Sequence, residues 1–153
     1  MPKIDVEKAP QRVGTRYPEP FRSRVGAIRR VQLGDAADLT QFGVNLTTIP
    51  PGGISALRHW HKNEDELVFV VEGELVLVED GGKTVLRPGD AAGFKANVPN
   101  GHHFANRSDR TATILEIGTR GADEQGFYPD DDLLYIKEAG QVRFTKRDGS
   151  DPD

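Results

Sequence analysis

The chain has 153 residues, a formal net charge of −4 and no cysteine. This length fits one domain with its own core, and the acidic balance argues against a nucleic-acid partner. Without cysteine the chain has no disulfide, thiolate ligand or cysteine nucleophile, so nitrogen and oxygen must hold any bound metal.

The N-terminal residues predict an extended arm over residues 1–30. Residues 1–23 are rich in proline and charge, which favours an extended segment over a packed element. No apolar stretch resembles a secretory signal or a membrane span, so we expect a cytoplasmic protein without membrane contacts. A cluster of basic side chains is interpreted as a solvated edge: Arg22, Arg24, Arg29 and Arg30.

Short apolar stretches separated by turn residues follow the arm and predict strands. Residues 42–49 alternate and are rich in β-branched side chains, as in a strand with one buried face. Residues 80–82 read Asp-Gly-Gly, which favours a hairpin turn because these residues tolerate positive φ. At most one helical turn is expected, near residues 36–41. Further strands are predicted over residues 55–61, 67–71, 74–79, 83–86, 91–94, 103–106 and 111–117.

The residues after 120 predict a C-terminal extension with added strands at 133–136 and 142–144. Tyr128 and the acidic run Asp130–Asp132 are interpreted as a solvated turn or a dimer contact, with closure of a barrel mouth as the alternative. Many short strands at near-regular spacing predict an all-β sandwich or barrel in a single domain. The barrel is expected over residues 31–120, followed by the extension over 121–153.

All four histidines lie in two short segments of the chain. His59 and His61 alternate on a predicted strand, so their side chains share a face. Glu66 follows a polar turn, and a neighbouring antiparallel strand would return it to the same patch. Such side chains can be ordinary core or surface groups, but two imidazoles and a carboxylate at this spacing suit a divalent cation. A third imidazole is offered by His102 or His103.

The first of these segments resembles the first cupin motif, G(X)5HXH(X)3–4E(X)6G. Every fixed position of that motif is filled, by Gly53, His59, His61, Glu66 and Gly73. Five fixed residues at fixed spacings make this a specific match.

The second segment resembles the second cupin motif, G(X)5PXG(X)2H(X)3N, less closely. Gly93, Pro99 and Gly101 fit, but the histidine arrives early. His102 stands at the motif's distance from Asn106, so His102 is preferred as the motif histidine and His103 is the alternative. Asn106 itself is interpreted as a structural hydrogen bonder rather than a ligand.

The resemblance covers roughly residues 40–118 and implies a jelly-roll β-barrel holding one divalent ion, such as zinc, manganese, iron or nickel. The chain also resembles short single-domain bacterial cupins with an Arg-His-Trp-His element, to which a sugar-phosphate isomerase label is sometimes attached. The ligands implied are His59, His61, Glu66 and His102, or His103 in its place.

Three functions are compatible with such a site. The first is Lewis-acid isomerisation or epimerisation of a small polar metabolite, such as a sugar or hydroxy-carbonyl compound. The second is an iron- or nickel-dependent dioxygenase, and the third is a non-catalytic module that binds a small ligand. The catalytic residues are not identified, and the candidate bases are Glu64, Lys95 and Tyr128. A homodimer is expected because unpaired strand edges need cover.

Overall fold

The computed structural model describes residues 2–152, and its regular structure is mostly β, which confirms the all-β prediction. A 3₁₀ helix (Val6–Lys8), α1 (Arg22–Val25) and α2 (Leu33–Ala36) are short, and no helix in the described part of the chain is long and apolar enough to cross a membrane. The strands are β1 (Gln11–Val13), β2 (Arg29–Gln32), β3 (Phe42–Ile49), β4 (Trp60–His61), β5 (Glu66–Glu72), β6 (Leu75–Glu79), β7 (Gly82–Leu86), β8 (Ala91–Phe94), β9 (His103–Ala105), β10 (Ala112–Thr119), β11 (Glu124–Phe127), β12 (Leu134–Glu138) and β13 (Gln141–Thr145).

The strands form three sheets around one apolar core. The first has six strands in the order β1-β2-β3-β10-β5-β8, the second four in the order β13-β12-β11-β4, and the third three in the order β7-β6-β9. Among residues 2–152 these ladders do not join into one closed cylinder, so the predicted barrel consists of separate sheets. Their inward side chains meet in a single buried cluster, as the alternation of each strand requires.

Most strands lie where the sequence predicts them, and β3 has the predicted bounds. The strand predicted over 55–61 is wrong for most of its length, because only β4 is regular there. The carbonyl oxygens that a neighbouring strand would bind accept side-chain hydrogen bonds instead. Arg30 donates to the carbonyl of Ser55 at 2.8 Å, and the His103 ring nitrogen Nδ1 lies 2.9 Å from the carbonyl of Ala56. The helical turn lies at α2 rather than at 36–41.

The N-terminal segment is packed, contrary to the expectation of an unpacked arm. β1 pairs with β2, and Tyr17 and Val25 belong to the core. The interpretation of the basic cluster as solvated is wrong for Arg30, whose side chain is 11% exposed. The segment follows the first sheet because Gly14 donates to the carbonyl of Ile28 at 2.7 Å and continues the β1–β2 ladder.

The C-terminal residues form three strands, of which β11 was not predicted. β11 pairs with β4 and therefore lies directly against the segment that carries His61. The interpretation of Tyr128 as part of a solvated turn is wrong, because the side chain is 5% exposed and belongs to the core. The boundaries at residues 30 and 120 stay predictions.

One motif glycine is required by backbone geometry. Gly73 joins β5 to β6 with φ of +80°, and a Cβ there would lie 2.8 Å from Cα of Ala112. Such a contact falls on backbone, which cannot rotate away. The motif position therefore serves the fold of the β5–β6 turn.

We expect Gly73→Ala to lower the free energy of unfolding by about 3 kcal/mol, through left-handed strain and the clash together. Gly52→Ala is the matched control, because Gly52 has φ of +81° but no heavy atom within 4 Å of the added carbon. The control should cost only about 1 kcal/mol. Urea unfolding of both variants measures the difference, and equal losses would contradict the steric explanation.

Candidate metal centre

Three imidazoles and one carboxylate converge between the sheets. His59 and His102 face each other across an isolated bridge, with His102 donating to the carbonyl of His59 at 2.9 Å. His61 lies in β4, two residues beyond His59 and on the same side of the chain. Glu66 begins β5, which is held between β8 and β10. All four side chains are thus positioned by backbone pairing.

The three imidazoles direct the same ring nitrogen at one carboxylate oxygen. The Oε1 atom of Glu66 lies 2.8 Å from Nε2 of His61, 3.6 Å from Nε2 of His59 and 3.5 Å from Nε2 of His102. Nδ1 of His59 lies 2.7 Å from the carbonyl of Leu57. Because a carbonyl only accepts, Nδ1 carries the proton at His59 and Nε2 keeps its lone pair.

The unsatisfied atoms of this cluster fit a divalent cation. Oε1 of Glu66 and Nε2 of His102 are buried, and neither makes a hydrogen bond of good geometry among the described residues, although Nε2 of His61 lies 2.8 Å from Oε1. Leaving such atoms unpaired costs about 1–3 kcal/mol each. The candidate ligand atoms of His59, His61 and Glu66 lie within 4.8 Å of one another. Nitrogen and oxygen ligands of this kind suit zinc, manganese, iron or nickel.

The charge states of Glu66 and His59 also suit a cation. Burial raises the pKa of Glu66, but the three imidazoles outweigh it and hold that pKa well below its usual range. Burial lowers the pKa of His59, and the neighbouring imidazoles of His61 and His102 lower it further. Burial also acts to lower the pKa of His61, but Glu66 raises it overall. An ionised Glu66 beside a neutral His59 offers the lone pairs that a metal requires.

The structure brings His102 to this cluster and not His103. The His103 ring is tied to the Ala56 carbonyl and lines a different pocket, together with Gly52 and Arg107. The ring of Phe94 stacks on His102 at a centroid distance of 3.5 Å and fixes its plane. Strand alternation separates the two histidines, because adjacent residues point to opposite faces.

Asn106 is structural, as its pattern predicts. Its amide nitrogen donates to the carbonyls of Ile49 at 2.8 Å and Arg110 at 2.7 Å. Its amide oxygen accepts from the backbone and hydroxyl of Ser108. The polar atoms of its side chain therefore close the turn at residues 106–110 and tie this turn to the end of β3.

The side chain of Arg58 connects the segment that carries His59 to the segment before His102 and to the C-terminal extension. Its guanidinium makes two hydrogen bonds of 2.9 Å to Asp130, contacts Asp80, and donates to the carbonyl of Gly101 at 2.9 Å. Hydrogen bonding to Asp130 raises the pKa of Arg58. A Cβ on Gly101 would lie 2.6 Å from Pro129, so only glycine lets the extension pack here. Arg58 thereby holds the chain just before His102 against the C-terminal extension.

A cavity of about 330 Å³ opens above the four candidate ligands. This volume suits a small metabolite. Tyr17 from the N-terminal segment and Tyr128, Tyr135 and Phe144 from the extension form an aromatic part of its wall. Its polar wall includes Arg12, Arg16, Arg30, Asn45 and Glu116.

Of the three candidate bases, only Tyr128 lines this cavity. Glu64 lies outside and forms an ion pair of 2.9 Å with Lys137, and Lys95 is exposed. Burial raises the pKa of Tyr128 well above its usual range, and Tyr17 adds to the effect. The hydroxyl therefore stays protonated, so it can donate a hydrogen bond but is not available as a base.

The sequence interpretation missed Glu116. It lies on β10 at the same parity as the buried Ala112 and Ile114, so it points inward. The sequence does carry a signal for Glu116, namely a charged residue at a strand position whose alternation predicts burial.

Comparisons with known proteins agree with this fold. The cupin domain family model matches residues 45–118. The crystal structure of a sugar phosphate isomerase of the cupin superfamily from Silicibacter pomeroyi DSS-3 superposes with a TM-score of 0.95, is 44% identical, and aligns over 99% of this chain and 97% of its own. An Acidithiobacillus ferrooxidans protein with the provisional description sugar phosphate isomerase is 28% identical, with a TM-score of 0.74 over 78% of this chain and 76% of its own.

A third similar protein comes from Mycobacterium tuberculosis and is named β-D-galactosidase Rv1717. It is 34% identical over 101 residues, which are 65% of this chain and 82% of that protein. Together with the arrangement of the sheets, these likenesses confirm the predicted jelly-roll fold. The chain therefore belongs to the cupin superfamily.

Proposed function

We propose that this cupin holds one divalent metal ion with His59, His61, Glu66 and His102 and isomerises or epimerises a small hydroxy-carbonyl compound such as a sugar. The observation that supports this most directly is the convergence of three imidazole nitrogens on the unpartnered Oε1 of Glu66. A bound divalent ion supplies Lewis acidity, which makes the hydrogens beside a carbonyl group more acidic. The adjoining cavity has the volume for such a compound.

Two cavity residues have the chemistry to assist this reaction, one by proton transfer and one by hydrogen bonding. Glu116 is the carboxylate of the cavity wall outside the cluster, and the Thr47 hydroxyl and Arg30 guanidinium hold it. We assign Glu116 as the base that takes a proton from one carbon and returns it to the same or the adjacent carbon. Tyr128 donates a hydrogen bond to a substrate oxygen, because its raised pKa keeps it protonated.

The relatives support a sugar as the substrate. Two similar structures are described as sugar phosphate isomerases, and the mycobacterial relative is named as a β-D-galactosidase. Hydrolysis of a β-galactoside is therefore the competing reaction. The same cavity serves either reaction, so a substrate panel must separate them.

We expect His59→Ala, His61→Ala and His102→Ala each to remove most of the bound metal, because each loses one nitrogen ligand. His103→Ala is the matched control and should keep the metal, since its ring is directed at a carbonyl away from the cluster. Elemental analysis of the purified proteins measures the stoichiometry, and circular dichroism checks the fold. Full metal content in His102→Ala, or its loss in His103→Ala, would contradict the assignment.

We expect Glu116→Gln to lower isomerase turnover by at least about a hundredfold, because the neutral amide cannot accept the proton. Metal content should not change. Glu74→Gln, on an exposed side chain, is the control. The assay compares aldose–ketose interconversion, β-galactoside hydrolysis and oxygen uptake, before and after chelation and metal return. Galactoside hydrolysis or oxygen uptake without isomerisation would overturn the proposed reaction.

The homodimer expected from the sequence stays a prediction, and one surface supports it. Leu67, Phe69 and Val71 alternate on β5, and their exposed fractions are 44%, 40% and 47%. Such a contiguous apolar face marks an interaction surface. We expect light scattering to give twice the chain mass of 16.8 kDa. Phe69→Lys should yield the monomer, whereas Val85→Lys, on another sheet, should not, and a monomeric parent protein would refute the dimer.

A further inference from the structure

Three guanidinium groups gather in the wall of the same cavity. Arg12 lies on β1, Arg16 follows in the next loop, and Arg30 lies on β2. Arg12 and Arg30 are direct partners in the antiparallel β1–β2 ladder. Like charges directly opposite each other on one face of a sheet are destabilising unless an opposite charge lies between or beside them. The arrangement therefore points to a missing negative charge.

The carboxylates of residues 2–152 satisfy only one of these arginines. Arg30 lies 3.4 Å from Glu116 and donates to the carbonyl of Ser55 at 2.8 Å. Neither Arg12 nor Arg16 has a carboxylate within ion-pair distance among residues 2–152. The Nε atom of Arg12 is buried and has no hydrogen-bond partner in that part of the chain. A buried, unsatisfied donor on a charged group calls for an acceptor.

The local charge balance agrees with this geometry. Burial lowers the pKa of Arg12, and the positive charges of Arg30 and Arg16 lower it further. The negative charges of Glu116 and Asp35 raise the pKa of Arg12, but they do not bring it back to its usual value. Asp35 is itself engaged by Arg120 at 2.8 Å. Positive charge thus exceeds negative charge on this side of the cavity.

We propose that Arg12 and Arg16, with Arg30 beside them, bind the anionic group of a phosphorylated or carboxylated polyhydroxy substrate. Guanidinium groups bind phosphate and carboxylate through paired N–H donors, which fits the open Nε of Arg12. The inference rests on the proposed function, because it assigns the substrate class of the same cavity.

The N-terminal segment supplies this subsite. The ring of Tyr17 packs edge-on against Tyr128 and Phe144, at centroid distances of 5.7 Å and 5.5 Å. Because Tyr17 follows Arg16 directly, these contacts anchor the backbone beside Arg16 to the core. Arg12 and Arg16 both precede residues 45–118, the part that matches the cupin family model. The cupin core contributes the candidate metal centre, and the preceding segment contributes the anion subsite.

The test is calorimetric titration of the metal-loaded protein with inorganic phosphate, a hexose phosphate, a hexuronate and the neutral hexose. We expect the phosphate or the carboxylate sugar to bind at least tenfold more tightly than the neutral hexose, and the tighter of the two identifies the anion. In Arg12→Gln and Arg16→Gln the Kd for that ligand should rise at least tenfold. Arg107→Gln, at an exposed position, is the control and should leave the Kd unchanged.

Arg12→Lys keeps the charge but loses the planar donor pair, so an intermediate Kd is expected. Thermal unfolding shows whether each variant is folded. Equal affinity for neutral and anionic sugars, absence of anion binding, or an unchanged Kd in folded Arg12→Gln and Arg16→Gln would each overturn the proposal. Metal content and turnover, measured separately, test the proposed function. Metal loss in the histidine variants with no preference for anions would support that function and refute this subsite.

Discussion

The partly buried carboxylate of Glu66, whose Oε1 atom is shielded from solvent, sets the geometry on which the functional part of this molecule depends. Three imidazoles approach one of its oxygens. The carboxyl group stays ionised because these imidazoles lower its pKa by more than burial raises it. Buried charges are stable only when they are paired. A divalent cation would pair this carboxylate and at the same time satisfy the open nitrogen of His102.

Backbone pairing and one side-chain bridge hold these side chains at the required positions. His59 and His102 are bridged directly, β4 is paired with β11, and Arg58 joins the residue before His102 to Asp130. Each contact links the cupin core to a segment outside it or to a distant part of the chain. The rigidity of the cluster thus comes from tertiary pairing, because β4 has only two residues of its own.

The N-terminal segment and the C-terminal extension line much of the cavity. Aromatic rings from both ends close one side, and arginines from the N-terminal segment add positive charge to the wall. Function in this superfamily resides in such grafted surroundings rather than in the shared fold. With these two segments in place, the pocket is partly enclosed and has distinct acidic, basic and aromatic parts.

Local sequence pattern was sufficient to predict the bounds of β3 and the structural role of Asn106. It was also sufficient to predict that His59, His61 and Glu66 lie close together. Strand alternation and turn chemistry act over a few residues, so they can be read directly. The preference for His102 over His103 as the motif histidine also came from spacing. Its proximity to Glu66 became visible only in the structure, since it depends on the bridge to His59.

Only the tertiary structure decided where the side chains of Tyr128, Arg12 and Arg30 lie. Tyr128 resembled a surface residue because it stands beside an acidic run, yet packing against Tyr17 buries it. The arginines resembled a solvated edge or a free arm, yet the pairing of β1 with β2 turns them toward the cavity. Which strands become neighbours is settled by burial of the whole core, and that information is distributed along the entire chain.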